Sequence, residues 1–258
     1  MPIIHYLIAG AAAISAGLIN ALAGGGTLIT FPTLISIGLS PVVANVTNTI
    51  ALCPGFLGGT LAQTKDLKGQ ERRLWLAIPA ALLGGLTGGY LLLRTSEKLF
   101  ANLVPFLIIL AASLLAVQNP VRNWLARRQS HAEGRHLPEA WICLPIFLGA
   151  IYGGYFGAGL SIIMLAVLGL ILNDNLTRLN AVKQVIGFGA NIAAALLFVF
   201  SGKINWAVGV VMMAGALLGG SFGGRLASRV KPNVLRWIVV TIGFVVGTIY
   251  LIKTYFLK

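Results

Sequence analysis

Apolar residues dominate ten stretches of the chain, which are separated by short polar or glycine-rich segments. Six stretches have the length of about 17–25 residues that a helix needs to cross a bilayer, namely 42–62, 74–93, 99–118, 179–200, 204–224 and 234–252. Stretches of this length predict membrane-spanning helices rather than strands. The pattern therefore predicts an all-α membrane protein.

The remaining four stretches form two pairs, each interrupted by glycines. In the first pair, 3–23 and 27–38 flank Gly24, Gly25 and Gly26; in the second, 140–156 and 160–172 flank Gly157, Ala158 and Gly159. The second member of each pair has only 12 or 13 residues, which is too short to cross upright. Because glycine destabilises a helix interior, each pair is predicted to be a broken or re-entrant helix pair.

Two motifs recur in the same order in both halves of the chain. LLGGLTGGYL at 82–91 matches LLGGSFGGRL at 217–226, an offset of 135, and GGGTLIT at 24–30 matches GAGLSII at 157–163, an offset of 133. We therefore predict a transmembrane repeat over 1–118, a basic linker over 119–138 and a second repeat over 139–258. Each repeat would contain a broken pair and three spans, giving eight to ten hydrophobic segments. The doubled glycines have GxxxG spacing, which favours close helix packing over substrate contact.

Charge places the repeats in the membrane. Charged residues make up 10% of the chain, against about 25% in soluble domains, and the net charge is +13 with a mean hydropathy of +0.89. If each broken pair enters and leaves on one side or crosses twice, thirteen of the 19 basic residues share one side, in 63–73, 119–138, 173–178 and 225–236. That side is predicted to be cytoplasmic, with both termini outside and the second repeat inverted. Topology thus explains the basic excess without a nucleic-acid partner.

The linker 119–138 has two interpretations. Val121, Trp124 and Leu125 could share the apolar face of an interfacial amphipathic helix. An unstructured linker is the alternative.

The chain resembles the TauE/SafE family of proposed sulfite and organosulfonate exporters. The resemblance rests on GLINALAGGGTLITFPTLISIGLSPVVANVTNT at 17–49 and GAIYGGYFGAGLSIIMLAVLGL at 149–170. It implies a carrier of small sulfur-containing anions in the bacterial inner (plasma) membrane, working as an exporter and driven by an ion or proton gradient. The expected partners are the small anion and the lipid bilayer, and a homodimer is left open.

The glycine breaks are candidate anion sites. A broken helix exposes backbone N–H groups and a positive dipole end, both of which stabilise negative charge. Thr27 and Ser161, which follow the two breaks, add hydroxyl donors. The candidate residues at the breaks are Gly24, Gly25, Gly26, Thr27, Gly157, Gly159 and Ser161. Tight packing or plain loops would explain the same glycines.

Polar residues on the helices after each break extend the candidate set. They are Asn45, Thr47, Asn48, Asn180, Lys183, Gln184 and Asn191, with Asn20 and Tyr155 as weaker candidates that could equally make helix–helix hydrogen bonds. Lys183 inside a span is a functional candidate for compensating the anion's charge. The alternative is that its ammonium reaches the headgroups beyond Arg178. We expect Asn45, Asn48, Asn180 and Gln184 to be ligands between two breaks that face each other near the midplane.

The sequence lacks the residues of other mechanisms. All six acids lie in or beside loops, no nucleotide-binding GxxxxGK[ST] motif is present, and Cys53 and Cys143 have no metal-binding partners nearby. We therefore expect no cofactor, metal or catalytic residue, and no enzyme activity. The predicted function is secondary transport of a small anion by alternating access. A passive anion channel, or an uptake carrier for a related organic anion, is the alternative.

Overall fold

A computed structural model describes residues 1–22, 25–130, 138–172, 174–226 and 232–256, which form helices and short connections without a strand. The α-helices of this part are α1 Ile3–Leu22, α2 Thr27–Ser36, α3 Pro41–Ala62, α4 Glu71–Arg94, α5 Glu97–Ala116, α6 Gln118–Ser130, α7 Cys143–Tyr155, α8 Leu160–Ile171, α9 Leu176–Val199, α10 Trp206–Leu226 and α11 Pro232–Tyr255. Single 3₁₀ turns occupy Thr64–Leu67 and Glu139–Ile142. The predicted all-α fold is confirmed.

Helix caps account for differences from the predicted starts. Ser96 accepts a hydrogen bond from the Leu99 N–H at 3.3 Å, and Asn175 accepts one from the Arg178 N–H at 2.9 Å. Each cap satisfies a backbone donor of a helix's first turn. As a result α5 and α9 begin before the apolar stretches that predicted them.

Five helices in the described chain are long and apolar enough to cross a membrane: α1, α4, α5, α9 and α11. Large apolar side chains on the outside are exposed, among them Phe200 at 87% and Trp75 at 80%. A soluble monomer rarely exposes apolar surface on this scale. The exposed surface and the apolar helices identify a multi-pass membrane protein.

One end of the helix bundle carries an ion-pair network, and we call it the basic end. Arg73 Nε donates to Glu139 Oε1 at 2.9 Å, and Arg73 also pairs with Asp174 in the α8–α9 connection. Arg178 Nε donates to the same Asp174 carboxylate at 3.1 Å. The predicted grouping of 63–73 with 173–178 on one side is thus confirmed for the described residues. Its cytoplasmic identity stays a prediction.

The carboxyl group of Asp174 makes this network sensitive to acid. Burial raises its pKa, but hydrogen bonds from Arg73 and Arg178 outweigh burial, so the pKa lies below its usual value. A lowered folded-state pKa contributes stability above the unfolded-state value, near pH 4, and that stability is lost as the pH falls further. We expect Asp174→Asn to lower stability by about 1–3 kcal/mol at pH 7.

Melting temperatures between pH 3 and pH 7 test this expectation. The difference between the wild type and Asp174→Asn should shrink as the pH falls below about 4. A difference that does not change with pH would contradict the assignment of the acid-sensitive stability to this carboxylate.

The two broken pairs open at opposite ends of the bundle. Cys143, at the start of α7, donates to the Leu76 carbonyl near the start of α4, which lies at the basic end. The end of α8 contacts α6, because Arg128 donates to the Leu170 carbonyl at 2.9 Å. Hence α7 and α8 form a re-entrant hairpin from the basic end. Helix α2 leads to α3, whose start lies at the other end beside Glu97. Helix α1 runs alongside α10 from that same end.

The two pairs differ in length: α1 has 20 residues, close to the predicted stretch 3–23 and long enough to span, whereas α7 has 13 and is shorter than the predicted stretch 140–156. Helix contacts exchange between the halves: α1 packs on α10 as α7 packs on α4, and α3 contacts α10 as α9 contacts α4. This exchange is what an inverted repeat requires. The repeat boundaries and the inversion stay predictions.

Doubled glycines of both halves pack helices together, as predicted, with Gly220 as an exception among the described residues. A Cβ atom at Gly85 would overlap the Ala190 carbonyl oxygen of α9, and one at Gly88 would overlap the Ile151 carbonyl oxygen of α7. In the second half, a Cβ atom at Gly219 would overlap the Ile14 carbonyl oxygen of α1. The absent side chains let these backbones approach closely.

The linker is helical over Gln118–Ser130 and lies outside the described residues over 131–137. Leu125 is fully buried against Gly169 of α8. Trp124 is 52% exposed and lies under the Arg128 guanidinium. Leu125 thus packs against the protein and Trp124 does not share its buried face, so only the helix is found over Gln118–Ser130, and its position at the membrane interface stays a prediction.

Candidate functional site

The first break satisfies its own backbone donors. Gly25 has a φ of +92°, and the Gly26 N–H donates to the Asn20 side-chain oxygen at 2.8 Å. Leu28 and Ile29 donate to the Gly25 and Gly26 carbonyls at 3.0 Å. The Asn20 amide therefore occupies the position at which an anion's oxygen would accept. Gly24 lies outside the described residues.

The second break leaves its donors open. Gly157 and Gly159 have φ values of +78° and +81°, and both lie between α7 and α8. Within the described part of the chain, the N–H groups of Ala158, Gly159 and Ser161 have no hydrogen-bond partner, and neither does the Ser161 hydroxyl. These groups lie at the start of α8, where the helix dipole is positive. We call this set of open donors the cradle; donors at a positive helix end are groups that can bind an anion.

The difference between the breaks comes from one position. At the offset of 133, Asn20 corresponds to Gly153, which has no side chain to cap the second break. Leu160 fills the adjacent space, because its side chain would lie 2.6 Å from a Cβ atom at Gly153. The aligned motifs already contain this difference between Asn20 and Gly153, although the sequence analysis predicts two equivalent breaks.

Contacts from three helices hold the second break in place. The Asn45 amide nitrogen donates to the Tyr155 carbonyl at 2.8 Å, and the Tyr152 hydroxyl donates to the Ala158 carbonyl at 2.6 Å. The Phe156 ring packs edge-on against Phe31 of α2, with centroids 5.3 Å apart. The Asn45 and Phe31 contacts join the first half of the chain to the break in the second half. Sequence reasoning did not predict them.

Both breaks contact the last turn of α5. A Cβ atom at Gly25 would lie 2.7 Å from the Leu115 side chain, and one at Gly159 would lie 3.1 Å from the Leu114 side chain. Neighbouring leucines of α5 therefore contact both breaks. The expected face-to-face arrangement near the midplane stays a prediction.

The polar residues of α3 and α9 form two groups rather than one. Asn45, Thr47 and Asn48 are buried in the first half of α3. Asn180 donates to Gln63, just after the end of α3, at 2.8 Å. Because the end of α3 meets the start of α9, the structure does not bring Asn45 and Asn180 together.

Other predicted ligands have local partners. The Thr47 hydroxyl accepts from the Asn205 N–H at 3.0 Å, and the Asn191 amide donates to the Gly187 carbonyl of its own helix at 2.8 Å. Gln184 is partly exposed on α9. That these three residues bind the substrate stays a prediction.

Lys183 lies near another cation. It is partly exposed, and the Arg122 guanidinium of α6 acts on it electrostatically. Among the described residues no acidic side chain pairs with Lys183. Two neighbouring cations create a positive potential that attracts anions.

Comparison with known proteins agrees with this membrane architecture. Residues 9–250 match the sequence profile of the family described as sulfite exporter TauE/SafE. The chain belongs to this family. No solved structure matches the chain.

Relatives of the chain are described as probable membrane transporter proteins. A probable membrane transporter protein of Haemophilus influenzae is 33% identical over 229 residues, which cover 89% of this chain and 88% of the relative. The probable membrane transporter protein YfcA of Escherichia coli K12 is 27% identical over 240 residues, covering 91% and 85%. ORF9 of Sinorhizobium sp, also described as a probable membrane transporter protein, is 25% identical over 234 residues, covering 90% and 86%. The family and these relatives identify the chain as a membrane transporter.

Proposed function

We propose that the protein is a secondary transporter that exports sulfite or a short organosulfonate and binds it at the second break. The observation that carries this proposal is the set of unpaired N–H groups at Ala158, Gly159 and Ser161. Sulfite and sulfonate each present three oxygens, which are acceptors for such donors. The family description supports the sulfur oxyanion and the export direction.

The electrostatics of the second break favour an anion of low charge. The donors are neutral groups, and the dipole at the start of α8 supplies only a partial positive charge. A monoanion would be stabilised there without a fixed counter-cation. Bisulfite and sulfonates carry one negative charge, so a coupled proton could also travel on the substrate as bisulfite.

Hairpins that open at opposite ends suit alternating access. The second hairpin carries the anion cradle from the basic end into the bundle, and the first hairpin approaches the same turn of α5 from the opposite end. Rocking one hairpin unit against the other would expose the cradle to either end in turn. Lys183 and Arg122 would attract the anion on the basic side.

Anion binding to the purified protein tests the assignment to the second break. Ser161→Ala removes one hydroxyl donor and should raise the Kd for sulfite or the best-binding sulfonate about 10- to 100-fold, since a hydrogen bond to a charged group contributes about 1.5–3 kcal/mol. Thr27→Val removes the corresponding donor at the first break and should leave the Kd within about twofold, because Asn20 already occupies that break. Thermal shifts with sulfite, thiosulfate, sulfate, taurine, sulfoacetate and carboxylate analogues would measure both.

The reverse ranking of the two variants would assign the anion to the first break instead. Equal wild-type responses to carboxylates and sulfur oxyanions would contradict the proposed substrate class. Counterflow in proteoliposomes tests the mechanism: a carrier accelerates labelled uptake when unlabelled anion is loaded inside, whereas a channel does not.

A further inference from the structure

Two side-chain oxygens beside the second break are buried without a hydrogen-bond partner. They are Asn45 Oδ1 and Asn48 Oδ1, and the two residues are 0% and 2% exposed. A buried unpaired polar atom costs about 1–3 kcal/mol, so nearly all such atoms in proteins have a partner, a water or an ion. Two of them three residues apart on one helix face indicate a common ligand.

Acceptor oxygens such as this pair can take a hydrogen-bond donor or a cation. Because Asn45 Nδ2 donates to the Tyr155 carbonyl, the amide orientation is fixed and Asn45 Oδ1 is available only as an acceptor. The Tyr155 carbonyl retains a second lone pair. It also belongs to the end of α7, where the helix dipole is negative. Oxygens of amides and of a broken helix's last carbonyls are the ligands that sodium takes in transporters.

The other half of the chain carries a built-in cation at the matching position. At the offset of 135, Asn45 corresponds to Asn180, and Asn48 corresponds to Lys183. The Lys183 ammonium thus supplies in the second half a positive charge that the first half lacks. The neutral Asn48 leaves the equivalent position to a cation from solution.

We propose that Asn45 Oδ1, Asn48 Oδ1 and the Tyr155 carbonyl bind a sodium ion. A single charge suits these neutral oxygens. Glu97, the carboxylate that contacts the start of α3, already accepts from the Ser40 hydroxyl at 2.9 Å and the Val42 N–H at 3.1 Å. The sodium ion at the end of α7 and the anion at the start of α8 would lie on two sides of one break, so each would favour binding of the other. This coupling role rests on the proposed function, whereas the cation site itself does not.

Sodium binding to the purified, anion-free protein tests the site. Melting temperatures in sodium, potassium and choline chloride at equal ionic strength should show a saturable rise of about 2–4 °C for sodium alone. Binding of radioactive sodium, measured on the same wild-type sample, should saturate at one ion per chain. Asn48→Leu and Asn48→Lys should both abolish the rise, the second because its ammonium replaces the ion. Asn102→Ala removes an amide from α5 and should retain the full sodium response.

Each outcome decides the matter. Equal melting temperatures in the three salts, with no radioactive sodium bound, would mean that water satisfies these oxygens, and would overturn the proposal. A sodium response that survives Asn48→Leu would place the ion elsewhere and overturn it as well. If the wild-type protein bound no anion but kept its sodium response, only the proposed function would be contradicted. The two failures are therefore distinguishable.

Discussion

Gly85→Ala is expected to prevent the protein from folding into a monodisperse, detergent-stable form. The new Cβ atom would overlap the Ala190 carbonyl oxygen and lie 2.8 Å from the Ala190 Cα atom. Both are backbone atoms of α9, so no rotamer change relieves the clash, and α4 must move away from α9. Overpacking a core typically costs about 1–3 kcal/mol, and a backbone clash lies at or above the upper end of that range. Size-exclusion profiles and melting temperatures in detergent would measure the loss.

Gly220→Ala is the matched control, because Gly220 stands 135 residues later in the second copy of the same motif. No described atom lies within 4 Å of a Cβ atom at Gly220. Alanine is also favoured over glycine within a helix by about 1 kcal/mol. The variant should therefore keep or slightly raise the melting temperature. If Gly85→Ala were tolerated equally well, the close α4–α9 contact would be wrong.

Gly157→Ala is expected to remove anion binding while the protein stays folded. Gly157 has a φ of +78°, and a Cβ atom there would lie 2.9 Å from the Gly153 carbonyl oxygen. To relieve this strain, the backbone at residue 157 must rotate, which changes the direction of the Ala158 and Gly159 N–H groups that follow it. Losing two hydrogen bonds to a charged ligand would raise the anion's Kd about 100-fold or more. Thermal shifts against anion concentration and flux into proteoliposomes would measure the effect.

Gly202→Ala controls for the backbone strain alone. Gly202 has a φ of +68°, lies in the α9–α10 connection and has no described atom within 4 Å of its Cβ position. An L-residue in this conformation costs about 1–2 kcal/mol, so both variants should lose a similar amount of stability. Only Gly157→Ala should lose the anion response. A parallel loss of the response in Gly202→Ala would contradict a local role for the second break.

Local signals in the sequence predicted the helices and their breaks well. Apolar length predicted α4, α5, α9 and α11 as spans, but α3 and α10, predicted from 42–62 and 204–224, are not among the five span candidates of the described chain, which include α1 instead. Ser96 and Asn175 show why two helices begin a few residues early. The doubled glycines predicted close packing, since GxxxG spacing acts through neighbouring turns of one helix. These features depend on residues close together in the chain, and they could be deduced from it.

The candidate site was predicted only in part. The sequence pointed to Gly157, Gly159 and Ser161, but gave the first break equal weight. The folded chain shows that Asn20 turns back onto Gly26 and closes that break. Whether a side chain reaches a backbone donor six residues away depends on the turn geometry between them, which composition and periodicity do not specify.

The sequence by itself determined the membrane class, the helix positions, the paired glycine breaks and the distribution of basic residues, because each follows from hydropathy, charge and local backbone preference. The tertiary structure decided which break keeps open donors, placed Asn45 beside Tyr155, and separated Asn45 from Asn180. The first outcome depends on the turn that brings Asn20 back onto Gly26. The two placements of Asn45 depend on contacts between helices more than 100 residues apart in the chain, such as the Asn45–Tyr155 hydrogen bond across 110 residues. Such contacts form only when the helices pack, since each amide then finds the partner that the neighbouring backbone presents.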